Sequence, residues 1–126
     1  MQSPTRLRVF RDAEELAVEV YQLTKTLPTD ERYGLCQQMR RAAVSVVSNI
    51  AEGCGRDGNR ELVRFLFIAL GSTTELEAQL RLSRRLAYLE LNDCQKIEEL
   101  ARHVERMLTN LVVRLRPALG ASRGRP

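Results

Sequence analysis

The chain has no tryptophan, one histidine, three cysteines and four prolines, and each scarcity narrows what it can be. Cys36, Cys54 and Cys94 are far apart and odd in number. That argues against a disulfide framework and suits a reducing cytoplasm, with three small buried hydrophobes as the plainer reading. His103 has no second histidine or cysteine at ligand spacing, so neither a zinc site nor another cofactor is expected. Pro4, Pro28, Pro117 and Pro126 leave the middle of the chain uninterrupted. No apolar run approaches the ~20 residues of a membrane span. The opening MQSPTRLRVFRD is basic but lacks an apolar stretch, so no secretory signal is expected.

What is present is ordinary for one globular domain: 126 residues, 44% hydrophobic and 29% charged. The formal net charge is +4, and eighteen of the twenty basic residues are arginine. Arg6, Arg8 and Arg11 lie at one end and Arg116, Arg123 and Arg125 at the other, around a slightly acidic body. Arginine favours bidentate contacts to phosphate or carboxylate, although such tail charges attract polyanions with little specificity.

The stretch QQMRRAAVSVVSNIAEGCG, residues 37–55, organises the rest. Met39, Ala43, Val46 and Ile50 share one helical face, and Val44, Val47 and Ala51 form a second apolar stripe. A narrow polar line of Gln38, Arg41, Ser45, Ser48, Asn49 and Glu52 remains, with Gly53 and Gly55 expected to end the helix. Three further helices are predicted. The first runs from an Asp12 cap to about Leu27 on Leu16, Val20, Leu23 and Leu27. The third runs from an Asn59 cap to about Leu89 on Leu62, Leu66, Ala69, Thr73, Leu76, Leu80 and Ala87, with Val63, Phe67 and Leu70 as a second stripe. The fourth starts at Asn92 or Asp93 and ends before Pro117, on Ile97, Ala101, Val104, Leu108, Leu111 and Leu115. Thr29 or Asp30 is the expected cap of the second helix.

These helices, joined by short turns, predict an all-α fold: an antiparallel up-down-up-down four-helix bundle over residues 10–116. A flexible basic arm over 1–9 and a disordered basic tail over 117–126 flank it. The extra apolar surface of the second and third helices predicts a cyclic homo-oligomer built through them.

The segments QMRRAAVSVVSNIAEG (Gln38 to Gly53) and RFLFIALGSTTELE (Arg64 to Glu77) resemble, in order and spacing, the four-helix-bundle proteins of the 23S ribosomal RNA intervening-sequence family. The resemblance covers about residues 10–115 and departs at Ala13–Glu14, where relatives often carry a Leu–Val/Ile–Trp-like segment. It implies a bacterial four-helix bundle assembled as a homopentamer. It also implies similarity to the accessory protein of diversity-generating retroelements, which is associated with nucleic acid and a reverse transcriptase.

Two groups of residues are candidates for function. Arg40, Arg41, Arg56, Arg60 and Arg64 could form a nucleic-acid-binding ring when repeated in an oligomer, although Glu52, Asp57 and Glu61 offer surface pairing instead. Ser45, Ser48, Asn49 and Glu52 are expected to form a structural polar seam with Ser72 and Glu75 of the third helix. Catalysis is the weaker reading, because no histidine or lysine stands near those serines to act as base. Arg81, Arg84 and Arg85 could extend a basic surface, with Glu77 placed to pair with Arg81, and His103 reads as a surface residue. Base stacking is poorly supported, since the three Phe and three Tyr fall mostly at core-like positions. The expected function is a non-enzymatic, oligomeric bundle that binds nucleic acid, most naturally structured RNA, with no membrane partner. The alternative is a protein-assembly or adaptor factor, for example the partner of a reverse transcriptase.

Overall fold

Four helices account for nearly all of the computed structural model, which describes residues 3–122, with side chains over 3–116. They are α1 (Arg8–Thr24), α2 (Leu35–Cys54), α3 (Asn59–Arg85) and α4 (Leu91–Ser122), with single 3₁₀ turns at Pro4–Arg6 and Thr29–Glu31. No strand occurs among the described residues, and no helix in them is long and apolar enough to cross a membrane.

The predicted stripes form the core. Leu16 and Val20 of α1, Met39, Val46 and Ile50 of α2, Leu66, Leu76 and Leu80 of α3, and Val104 and Leu108 of α4 are sealed from solvent. Side-chain contacts run in opposite order along α2 and α3. Ser83 Oγ donates to Met39 Sδ (3.6 Å), Ser45 and Ser72 share a hydrogen bond (2.8 Å), and Gly53 faces Leu62 and Phe65. Residues later in α2 therefore meet residues earlier in α3. Arg84–Glu98 and Thr74–Glu105 give the same reversal between α3 and α4.

Several predicted boundaries differ. The basic arm is not separate from the core: α1 begins at Arg8, and Val9 and Phe10 are buried, because two apolar residues beside Ala13 complete its inner stripe. Asp12 lies inside α1, where it pairs with His103 of α4 (3.0 Å), so it is not the cap and His103 is not alone. Neither Thr29 nor Asp30 caps α2; the Glu31 carboxylate does, accepting the Leu35 N–H at 3.0 Å. Gly34 leaves room for that carboxylate, since a Cβ there would stand 2.5 Å from Glu31 Oε1. Gly53 does not end α2 but lies buried within it, and Gly58, at φ 84°, takes the cap position assigned to Asn59.

At the other end of α3, Ala87 is an exposed turn residue at φ 60°, and Ser83 takes its place in the core. The turn closes through Tyr88 N–H to the Ser83 carbonyl (3.0 Å) and Ala87 N–H to that of Arg84 (2.9 Å), a Schellman pattern in which the left-handed residue would ordinarily be glycine. α4 passes through Pro117 to Ser122 instead of stopping before it. The proline removes one backbone bond, and Val113, whose carbonyl loses that partner, is exposed. Residues 123–126 of the expected tail and residues 1–2 of the arm lie outside the described residues.

Candidate nucleic-acid interface

The five arginines fall into two groups at opposite ends of α2. Arg40 and Arg41 stand near its start, while Arg56 follows its end and Arg60 and Arg64 open α3. At 1.5 Å per residue the groups are roughly 20 Å apart along the helix, so one chain does not gather them into a single patch.

Arg40 is held tightly. Its Nε donates to Thr24 Oγ1 (2.8 Å), an Nη donates to the Tyr21 carbonyl (3.1 Å), and the guanidinium lies 4.6 Å from the Tyr21 ring centre. A cation among the last carbonyls of α1 also complements that helix's dipole. Arg41, one residue on, points to solvent between two grooves. One is lined by Gln38, Ala42, Ser45 and Glu75 as well as Arg41. The other, of about 650 Å³, lies between α1 and α2 and includes Tyr21, Arg32, Tyr33 and Val44.

At the α2–α3 end, Arg56 pairs with Glu52 (3.0 Å) and Arg64 with Glu61 (3.7 Å). All four side chains stay exposed, so these pairs contribute little and leave the guanidiniums open to a stronger anion. Both arginines also flank the Phe65 ring, at 5.4 and 5.0 Å. Arg60 is exposed and has no ion-pair partner among the described residues.

The polar seam forms in part. Ser45 and Ser72 bond to each other, and Asn49 Nδ2 donates to the Ser45 carbonyl (2.8 Å) and Oγ (3.0 Å). Ser48 and Glu75 are exposed outside it, and Glu52 is taken by Arg56. The Ser45–Ser72 bond ties α2 to α3 and fixes their register at this level.

Arg84 does not join a basic surface with Arg81 and Arg85, because it makes a two-pronged contact with Glu98 of α4 (3.2 and 3.3 Å). The Glu98 carboxylate also faces the buried Cys94 thiol (3.1 Å). Burial, then this carboxylate, pushes the thiol up to about 12. Glu77 turns toward α4 and Glu105, not toward Arg81; burial first and Glu105 second push it up to about 7.

Sequence reasoning missed the aromatic part of the surface. Tyr33 is 81% exposed, and Tyr21 and Phe67 are about two-fifths exposed, while only Phe10 and Phe65 are buried. Periodicity could not place Tyr33, which sits in the turn ahead of α2. The signal for the groove was the run of Arg32 and Tyr33 seven to nine residues before Arg40–Arg41.

Four apolar-cored helices, a short hydroxyl–amide seam and two exposed arginine groups define the class: an all-helical bundle protein with a cationic, partly aromatic surface. The sequence profile of the 23S rRNA-intervening sequence protein family matches residues 5–110, and the chain belongs to that family. It is similar in fold to a protein of unknown function from the S23 ribosomal protein family of Bacteroides thetaiotaomicron VPI-5482, whose crystal structure was determined at 1.70 Å. The two are 24% identical with a TM-score of 0.77, over 82% of this chain and 94% of that one. No curated protein matches the chain.

Proposed function

We propose that the chain is a non-enzymatic, up-down-up-down bundle that assembles as a cyclic homo-oligomer and binds nucleic acid, chiefly structured RNA, through arginines repeated around the ring. The observation that carries this reading is that Arg41 at one end of α2 and Arg60 beyond the other are exposed without an ion-pair partner among the described residues, Arg60 standing with Arg56 and Arg64, which are in weak surface pairs. Repetition by symmetry turns each modest group into a continuous band of positive charge, and such binding weakens steeply with salt. Five copies is the number the family resemblance implies. The free cysteines suit a cytoplasmic setting.

Assembly is supported by an exposed stripe on α3. Ile68, Gly71, Glu75, Ala78 and Leu82 recur at alternating three- and four-residue steps and all face solvent, with Ile68 44% and Leu82 49% exposed. That is the spacing of a helix–helix seam. The same stripe supports the second reading, an assembly factor whose main partner is another protein such as a reverse transcriptase.

The test is the double variant Arg41→Glu, Arg60→Glu, assayed by fluorescence anisotropy with a labelled RNA hairpin. Arg40 is left intact because it joins α1 to α2. The reading expects binding to be lost while the helical circular dichroism and the sedimentation coefficient stay unchanged. Undiminished binding would remove the site assignment.

A further inference from the structure

We propose that the groove between α1 and α2 takes unpaired nucleotides, with bases stacked on Tyr33 and Tyr21 and phosphates held by Arg32 and Arg41. The proposal rests on the nucleic-acid reading above and makes it specific, because it names a site that recognises single-stranded segments within structured RNA.

The lining of this groove contains three arginines, two tyrosines and no carboxylate. Its volume of about 650 Å³ lies within the range of ordinary small-ligand sites. Neither Arg32 nor Arg41 is in an ion pair among the described residues. An anion is therefore the ligand the charge selects, and the aromatic walls ask for a planar group attached to it. A nucleotide supplies both. A base inside a duplex hides its face, whereas an unpaired base presents it to an aromatic ring.

The walls are held in place before any ligand arrives. Tyr33 belongs to the turn between the 3₁₀ segment and α2. Glu31 pins that turn by accepting the Leu35 N–H at 3.0 Å and the Tyr88 hydroxyl at 3.1 Å. Its backbone is thus tied to the α3–α4 turn while its ring stands in solvent. Across the groove, Arg40 stacks 4.6 Å from the Tyr21 ring and is anchored on Thr24 and the Tyr21 carbonyl. Arg40 is accordingly a positioning residue that fixes Tyr21, while Arg32 and Arg41 are the groups available to phosphate. An exposed aromatic ring on a fixed turn loses little conformational freedom when a base stacks on it.

The experiment compares a labelled ten-nucleotide oligouridine with a labelled blunt RNA duplex that has no loop, by anisotropy, for the intact chain and for Tyr33→Leu and Tyr33→Phe. The proposal expects Tyr33→Leu to bind the oligouridine about tenfold more weakly, Tyr33→Phe to bind it like the parent, and duplex binding to be unchanged in both. The chain has no tryptophan, and two of its three tyrosines, Tyr21 and Tyr33, line the groove, so saturating oligouridine should quench the larger part of its intrinsic emission, and Tyr33→Leu should reduce that quenching. Duplex binding with oligouridine binding indifferent to Tyr33→Leu would overturn the stacking site and leave the nucleic-acid reading standing. Failure of both RNAs to bind at low salt would remove both. A change of sedimentation coefficient in Tyr33→Leu would show the groove to be an interface between copies and would likewise overturn the proposal.

Discussion

Glu77→Gln should stabilise the protein above neutral pH and leave it unchanged in acid. Glu77 sits on α3 facing α4, with Oε2 inaccessible and without a hydrogen-bond partner. Burial and the neighbouring Glu105 charge raise its pKa from the ordinary 4.5 to about 7, with Arg102 opposing and Glu98 adding. The folded state therefore binds the Glu77 proton more tightly than the unfolded chain does. The associated stability is fully present below about pH 4.5 and is lost as pH rises through about 7. At 1.36 kcal/mol per pH unit the loss has an upper bound of ~3.4 kcal/mol. The carboxyl is only partly buried, so solvent screening reduces this to roughly 1 kcal/mol. Glutamine keeps the shape, carries no charge and can donate to Glu105. Urea unfolding followed by circular dichroism at pH 4.5 and pH 8.5 reads the effect, and subtracting the parent from the variant cancels the other titrating groups. The expected difference is near zero at the lower pH and roughly 1 kcal/mol in favour of the variant at the higher. A difference that does not change with pH would refute the reasoning.

Three other outcomes follow from the packing. Ala87→Gly should stabilise by about 1 kcal/mol, because the left-handed φ of 60° strains a Cβ; a calorimetric scan should show the midpoint rising by about 4 °C. Two glycine replacements should have opposite signs in urea titrations. Gly53→Ala meets Leu62 Cδ1 and Phe65 Cβ at 3.0 Å and should cost about 1–3 kcal/mol, whereas Gly71→Ala meets nothing within 4 Å and should gain about 1 kcal/mol of helix propensity. In native protein a thiol reagent should label the half-exposed Cys36 first. Cys54 and Cys94, buried and with thiol pKa values pushed up by burial, should react only on unfolding.

The core was readable from periodicity because every helix has an inner stripe with no competing strand pattern. Met39, Ala43, Val46 and Ile50 are all sealed, as are Leu62, Leu66, Ala69, Thr73, Leu76 and Leu80. The Ser45–Ser72 bond was readable too, since two small hydroxyls facing each other between apolar stripes have few other partners. What the spacing could not give was long-range pairing. Asp12 looked like a cap because its partner His103 lies on α4. Arg40 looked available because the carbonyl it binds lies at the far end of α1. Helix ends were misplaced for a local reason: the carboxylate of Glu31, four residues ahead of Leu35, and a left-handed alanine, Ala87, did what Ser, Thr, Asp and glycine usually do at caps. The three Phe and three Tyr were read together as mostly core-like, so the exposure of Tyr21 and Tyr33 makes the α1–α2 groove the part of the surface least legible in the sequence.

The measurement that bears most directly on the central claim is the salt dependence of binding between the purified chain and a labelled structured RNA. The account predicts micromolar or tighter binding at low salt and a straight log–log decline whose slope corresponds to several phosphate contacts. Absence of binding at low ionic strength, or binding with no salt slope, would contradict a phosphate-binding arginine surface and turn the search toward a protein partner.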